Sequence, residues 1–109
     1  MFTPLSKKNI MPRLAELADR VITLVTEESD IPREAILSKS RTAEVVDARH
    51  LAIKLLHLKD IYPSKIASLF NISTRCVNYA ITSFDCRVSQ NNVLRYSYEA
   101  IKKKLKEDQ

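Results

Sequence analysis

Lys65-Ile66-Ala67-Ser68-Leu69-Phe70-Asn71-Ile72-Ser73-Thr74-Arg75-Cys76-Val77-Asn78-Tyr79-Ala80-Ile81 spaces its apolar residues as a pair of packed helices needs. Ile66, Phe70, Ile72, Val77 and Ile81 fall where two short helices joined by a tight turn would share an apolar wedge, and Ala67 is small where their axes cross. Asn71 stands where the chain must turn left-handed after the first helix, a conformation that asparagine tolerates better than most residues. Ser73 then serves as the cap of the second helix. The spacing predicts a helix-turn-helix between Ser64 and Phe84, with Thr74, Arg75, Asn78 and Tyr79 on the side away from the wedge. A guanidinium there matches guanine O6 and N7, and a carboxamide matches an adenine edge, so these four residues are assigned to base reading. Helices with this apolar spacing also pack in bundles that read no DNA. The agreement of turn, wedge, cap and cationic face favours the DNA reading.

Upstream, Val45, Val46, Ala48, Leu51, Ala52, Ile53, Leu55, Leu56 and Leu58 surround most of a helix running from Ala43 to Lys59. An apolar pattern that wide predicts a central, mostly buried rod. Thr42 is its expected N-cap, and Tyr62-Pro63 breaks the chain after it. The preceding stretch Ser38-Lys39-Ser40-Arg41-Thr42 has no apolar residue and reads as an exposed basic loop. Before it, Asp30 is expected to cap a short helix over Pro32 to Leu37. Leu14, Leu17, Ala18, Val21, Ile22 and Val25 make an amphipathic first helix, with Pro12 in its first turn. Downstream, Leu94, Tyr98, Ile101 and Leu105 form the stripe of a last helix. The expectation is an all-α fold: a single compact helical domain of about six helices containing a helix-turn-helix. Its parts are a first helix over residues 12–29, a core over 31–84 and a C-terminal helix over 89–107.

Composition narrows the function. The 109 residues carry a net charge of +5, with a pI near 9.4, which favours a polyanionic partner. Residues 1–31 hold four basic and five acidic side chains, and residues 32–109 hold fourteen basic and eight acidic, so the excess cation belongs to the later part. The chain has no glycine, which excludes the usual glycine-rich phosphate cradles. Cys76 and Cys86 are spaced unlike a zinc site or a disulfide framework, and both read as ordinary thiols. No apolar run is long enough to span a bilayer and no signal peptide is evident, so a cytoplasmic, nucleoid-associated location is expected. No serine, cysteine or carboxylate is placed with a histidine for catalysis. The expectation is therefore no enzyme activity, no cofactor and no metal.

With these parts in place, the chain resembles the C-terminal DNA-binding domain of the bacterial replication initiator DnaA, a Trp-repressor-like helix-turn-helix module. The likeness runs from Leu14 to Leu105. It is clearest over Ile36-Leu37-Ser38-Lys39-Ser40-Arg41, Ala48-Arg49-His50-Leu51-Ala52-Ile53-Lys54-Leu55-Leu56 and Ile66-Ala67-Ser68-Leu69-Phe70. In that family the basic loop sends an arginine into the minor groove, which the resemblance assigns to Arg41. An arginine early in the central helix also contacts DNA, here Arg49. For Arg49 the residues themselves leave two partners open, a phosphate or an intramolecular acid such as Asp47 or Glu44. Lys39, Ser40, Arg41, Arg49, His50, Lys65 and Ser73 together make the set expected at phosphates or in the minor groove. The family usually reads Asp-His-Thr-Thr-Val at the start of its recognition helix, where this chain reads Ser73-Thr74-Arg75-Cys76-Val77, with one residue fewer in the turn. The base-reading chemistry is thus replaced. The ATPase domain that precedes the module in the family has no counterpart in these residues, so a complete initiator is not expected.

Other features take blander readings. His50 and His57 share a face with Asp47 and Lys54, and the lysine between them opposes metal binding, which leaves a solvated polar stripe. Lys102 to Lys106 read as a solvated helix end that suits the C-terminal dipole. Tyr98 reads as core, and Cys76 has no activating cluster beyond Arg75. Double-stranded DNA is the expected partner, with a protein partner or homodimer also open and no membrane. The alternative is a non-enzymatic interaction module, an adaptor or inhibitor of an initiator that uses the fold without binding DNA. Attachment of the last helix to an anionic membrane is the weakest reading.

Overall fold

The computed structural model describes residues 5–107, and the side chains of residues 14–106. Six helices follow one another, with no strand among the described residues: α1 (Leu5–Ser29), α2 (Arg33–Ile36), α3 (Ala43–Leu58), α4 (Pro63–Phe70), α5 (Thr74–Gln90) and α6 (Asn92–Glu107). They form one all-α domain. The helix α3 packs against each of the other five and buries Val45, Ala48, Leu51, Ala52, Ile53, Leu55 and Leu56. It is the central rod that its apolar pattern predicts. Around it, Val21 and Val25 of α1, Ile66 of α4, Val77 and Phe84 of α5 and Ile101 of α6 complete a single buried cluster. Burying side chains of this size stabilises a domain by about 1.5–3 kcal/mol each.

A chain without glycine has to stop its helices by other means. Asp30, Asp60 and Asn71 adopt left-handed backbone conformations with φ of 63°, 64° and 55°. Aspartate and asparagine are the non-glycine residues that reach this region at least cost, because their short polar side chains bond locally. After α3 and α4 the turn closes in the same way: Ile61 N–H donates to the Leu56 carbonyl (3.3 Å) and Ile72 N–H to the Ala67 carbonyl (3.0 Å). These are the six-to-one bonds of a Schellman ending, and they fix the direction in which the chain leaves. Asn71 therefore does what its position in the turn predicts.

Several local expectations are corrected. Asp30 ends α1 through its left-handed backbone, and the cap position of α2 is held by Pro32 with no side-chain cap bond. Thr42 occupies the cap position of α3, again without a side-chain bond. Pro63, not Ser64, opens α4, because a proline without N–H fits the first turn where no intrahelical acceptor exists. The helix α1 reaches back to Leu5, so Pro12 lies within it and not in its first turn. The helix α5 is longer than predicted: it continues past Phe84 to Gln90, carrying Val88 onto the core in register with Val77, Ile81 and Phe84. Asn91 then breaks the chain with an extended backbone, and its Oδ1 accepts from Leu94 N–H (3.0 Å) to start α6 at once.

Candidate nucleic-acid interface

Ser73 Oγ accepts from Cys76 N–H at 3.1 Å, satisfying one of the N–H groups that the first turn of α5 leaves without a partner. Thr74, Arg75, Asn78 and Tyr79 are all exposed, and Tyr79 remains 64% accessible. Behind them Val77 and Ala80 are buried, as are Ile66, Ala67 and Phe70 of α4, while Ile72 and Ile81 pack partly buried against the same cluster. The wedge thus leaves the face of Thr74, Arg75, Asn78 and Tyr79 open. Replacing Ser73 by alanine should cost about 1 kcal/mol of stability, read as a lower denaturation midpoint at unchanged slope.

The basic loop comes to the same place. Lys39 Nζ donates to the Asn71 carbonyl at 3.1 Å, which ties the loop directly to the turn between α4 and α5. A groove with a volume of about 410 Å³ separates the two, with Lys39, Arg41, Arg49 and His50 on one side and Ser73 and Cys76 on the other. Arg41 is exposed, and Ser40 is partly exposed, its Oγ accepting from Thr42 N–H at 3.3 Å. Lys65 is exposed in the first turn of α4. Loop and helix start therefore line one groove, where Lys39 and Arg41 supply positive charge.

Arg49 answers the question the residues left open with a third partner. Its guanidinium donates to the main-chain carbonyls of Ile36 (Nε, 2.8 Å), Ser40 (Nη1, 3.1 Å), Ala35 (Nη2, 3.3 Å) and Ser38 (Nη2, 2.7 Å). Neither Asp47 nor Glu44 is involved. The side chain clamps the end of α2 and the loop that follows onto α3, and a cation beside the carbonyls that end a helix also complements its dipole. Burial pulls the guanidinium below its ordinary pKa. With four N–H groups spent on carbonyls, Arg49 holds the loop against α3.

The polar face of α3 is also not the solvated stripe that was expected. Lys54 pairs with Asp85 of α5 at 3.5 Å with its side chain only 13% accessible, and Asp47 lies 2.8 Å from Arg87. These pairs form a seam that holds α5 against α3. His50 lies within this seam, half-buried and edge-on to the Tyr79 ring at 6.3 Å between centroids. Desolvation holds its pKa below the ordinary histidine value; Arg87 and Arg49 lower it further and Asp47 opposes them. His57 lines a different groove, with Asp60 and Tyr62. Neither Arg87 nor Asp85 was singled out in the sequence. The signal that could have found them is the Val77, Ile81, Phe84, Val88 stripe, which carries the helix, and so its charges, past Phe84.

At the end of the last helix Lys102, Lys103 and Lys106 are exposed as expected, and Lys104 departs from that reading. Lys104 pairs with Glu28 at 3.3 Å and fastens α6 to α1, while Lys102 lies 4.8 Å above the Tyr98 ring. Tyr98 in turn packs edge-on against Phe84 at 5.1 Å, as a core residue should. Among the described residues no helix is long and apolar enough to cross a membrane.

Comparison with known proteins points the same way as the geometry. No protein-family model matches the chain. It is 30% identical over 94 residues to the chromosomal replication initiator protein DnaA of Leptospira biflexa serovar Patoc (strain Patoc 1 / Ames), covering 85% of this chain and 21% of that protein. The same values hold for the chromosomal replication initiator protein DnaA of strain Patoc 1 / ATCC 23582 / Paris. The chain thus spans 21% of the length of these curated relatives and is similar to a part of them.

Proposed function

We propose that this chain is a DnaA-like DNA-binding domain that recognises double-stranded DNA with sequence preference and has no enzymatic activity of its own. The observation that carries the reading is the shared face: the start of α5 and the basic loop open on one groove, tied together by the Lys39 bond to Asn71. In this reading α5 enters the major groove with Thr74, Arg75, Asn78 and Tyr79 toward the base edges, and the loop directs Arg41 toward the neighbouring minor groove. Lys39, Ser40, Lys65, Ser73 and His50 lie along the phosphates, and Arg49 holds the loop in place. The names of the relatives favour replication initiation over transcriptional control as the process served, on the nucleoid and in the cytoplasm.

Selection from a randomised duplex pool, repeated at several salt concentrations, tests this directly. Affinity should fall steeply with salt as condensed counterions are released, and Lys39→Ala should weaken every site about equally while reducing the salt slope by about 1. Affinity that ignores salt would sink the DNA reading.

A second reading has its own observation. Val93 and Tyr96, 77% and 64% exposed, stand together at the start of α6 in a groove that also includes Glu28. Exposed apolar side chains beside an acid suit a protein partner or a second copy of the chain. Capture of a partner by a domain that shifts no duplex would favour an adaptor or inhibitor of an initiator.

A further inference from the structure

At the C-terminal end of the rod, α3 and α6 meet in a groove of about 410 Å³ that the DNA reading leaves unused. Its floor is apolar: Leu55 and Leu105 are buried, and Leu58 stands 44% exposed. Its rim is cationic, with Lys59 just past the end of α3 and Lys102, Lys103 and Lys106 on α6. Glu99 is the one carboxylate among the described residues of the rim, and Lys102 lies 3.7 Å from it. Among the described residues Lys59, Lys103 and Lys106 enter no ion pair. Lysines at a helix end are commonly just solvated, but here their apolar stems wall a slot with an exposed leucine on its floor. Apolar surface inside a polar rim marks a contact site.

These cations do not serve a duplex seated on the interface groove. Val46, Arg49, His50 and Ile53 line that groove from α3, whereas Leu55, Leu58 and Lys59 line this one. At about 3.6 residues per turn the two sets project about 180° apart. The two grooves therefore open on opposite sides of the rod and can be filled together.

We propose that the groove between the ends of α3 and α6 docks an acidic, amphipathic helical segment of a partner protein. The inference goes beyond the DNA reading and stands without it. Charge selects the occupant: four lysines against one acid attract carboxylates, and a slot of this size takes the side chains of one helix face, not the surface of a folded domain. The apolar floor then decides between anions. A duplex backbone offers nothing to cover Leu58, whereas leucines one turn apart on a helix cover it and bring flanking glutamates to Lys103 and Lys106. A flat anionic bilayer meets the lysine tips and leaves the floor of a concave groove uncovered.

The test titrates the full, isotope-labelled chain with a synthetic helical peptide carrying leucines one turn apart and glutamates beside them, followed by NMR. Two control peptides replace glutamate by glutamine or leucine by serine. The expected result is amide shifts centred on Leu58, Lys59, Leu105 and Lys106, with an affinity that falls as salt rises. Lys103→Gln combined with Lys106→Gln should weaken the glutamate peptide by about 3- to 10-fold and leave binding of the glutamine peptide unchanged. Leu58→Ser, at an exposed site, should weaken both, with circular dichroism confirming the fold. A duplex bound at the interface groove should leave the peptide in place, and its displacement would overturn the proposal. Shifts centred on Ser73 to Cys76 and the basic loop would overturn it too, because the peptide would then be following charge alone. So would a glutamine or serine peptide that binds as tightly as the first, or capture of the chain through this groove by phosphatidylglycerol vesicles or a second duplex without peptide binding. If no duplex bound anywhere while the peptide docked as described, the DNA reading would fall and this one would stand.

Discussion

Arg49→Ala is expected to lower the stability of the free domain by about 2 kcal/mol and to weaken DNA binding by about 10- to 100-fold. The stability loss follows from four charge-assisted bonds to the carbonyls of Ala35, Ile36, Ser38 and Ser40, discounted because the site is partly exposed and water replaces some of them. The binding loss follows from the loop, which has to be ordered at the moment of binding once its clamp is gone. The lysine variant separates this role from a direct phosphate contact. A planar fork can reach several carbonyls at once and an ammonium cannot, so Arg49→Lys should be nearly as unstable as Arg49→Ala and should bind nearly as weakly. At a phosphate contact the outcome would differ: lysine would restore most of the affinity, and the stability of the free domain would not move. Denaturant unfolding of both variants beside their salt-dependent affinities decides between the two.

How far the fold could be read in advance depends on where each cause lies along the chain. The rod α3 and the packed pair of α4 and α5 were legible because their causes are local: an apolar pattern around one helix, a small residue at a crossing, asparagine at a left-handed turn, serine at a cap. The outward placement of Thr74, Arg75, Asn78 and Tyr79 came with that local pattern. Asp30 misled because aspartate suits two neighbouring jobs, capping one helix and ending the previous one left-handed, and only the backbone shows which it takes. The end of α5 was misplaced because nothing between Asp85 and Gln90 breaks a helix, and polar residues there looked like a loop. Arg49 was the least legible residue of the interface. Its partners are main-chain carbonyls, which every residue carries and no side chain marks. The pairs that join α3 to α5 were hidden for a related reason, since Asp47 and Arg87 lie far apart in sequence and meet only once the two helices are packed.

Arg75→Ala should erase the preference for one base pair of the target site, a loss of about 1–3 kcal/mol against that sequence, while binding to unrelated duplexes falls far less. Arg75 sits in the first turn of α5, exposed, and its guanidinium makes none of the intramolecular hydrogen bonds or ion pairs that occupy Arg33, Arg49 and Arg87 among the described residues. An unspent fork on the reading face of a helix can take both acceptors of a guanine, and its planar geometry is what distinguishes guanine from the other bases. Arg75→Lys should then keep most of the non-specific affinity and its salt slope, because the charge remains, yet lose the same base preference as alanine. Lys39→Ala should do the opposite, lowering affinity for selected and random duplexes alike. Selection profiles and salt titrations for the three variants decide the assignment. If Lys39→Ala changed the preferred sequence and Arg75→Ala changed only the salt slope, the loop would be the reading element and α5 the anchor.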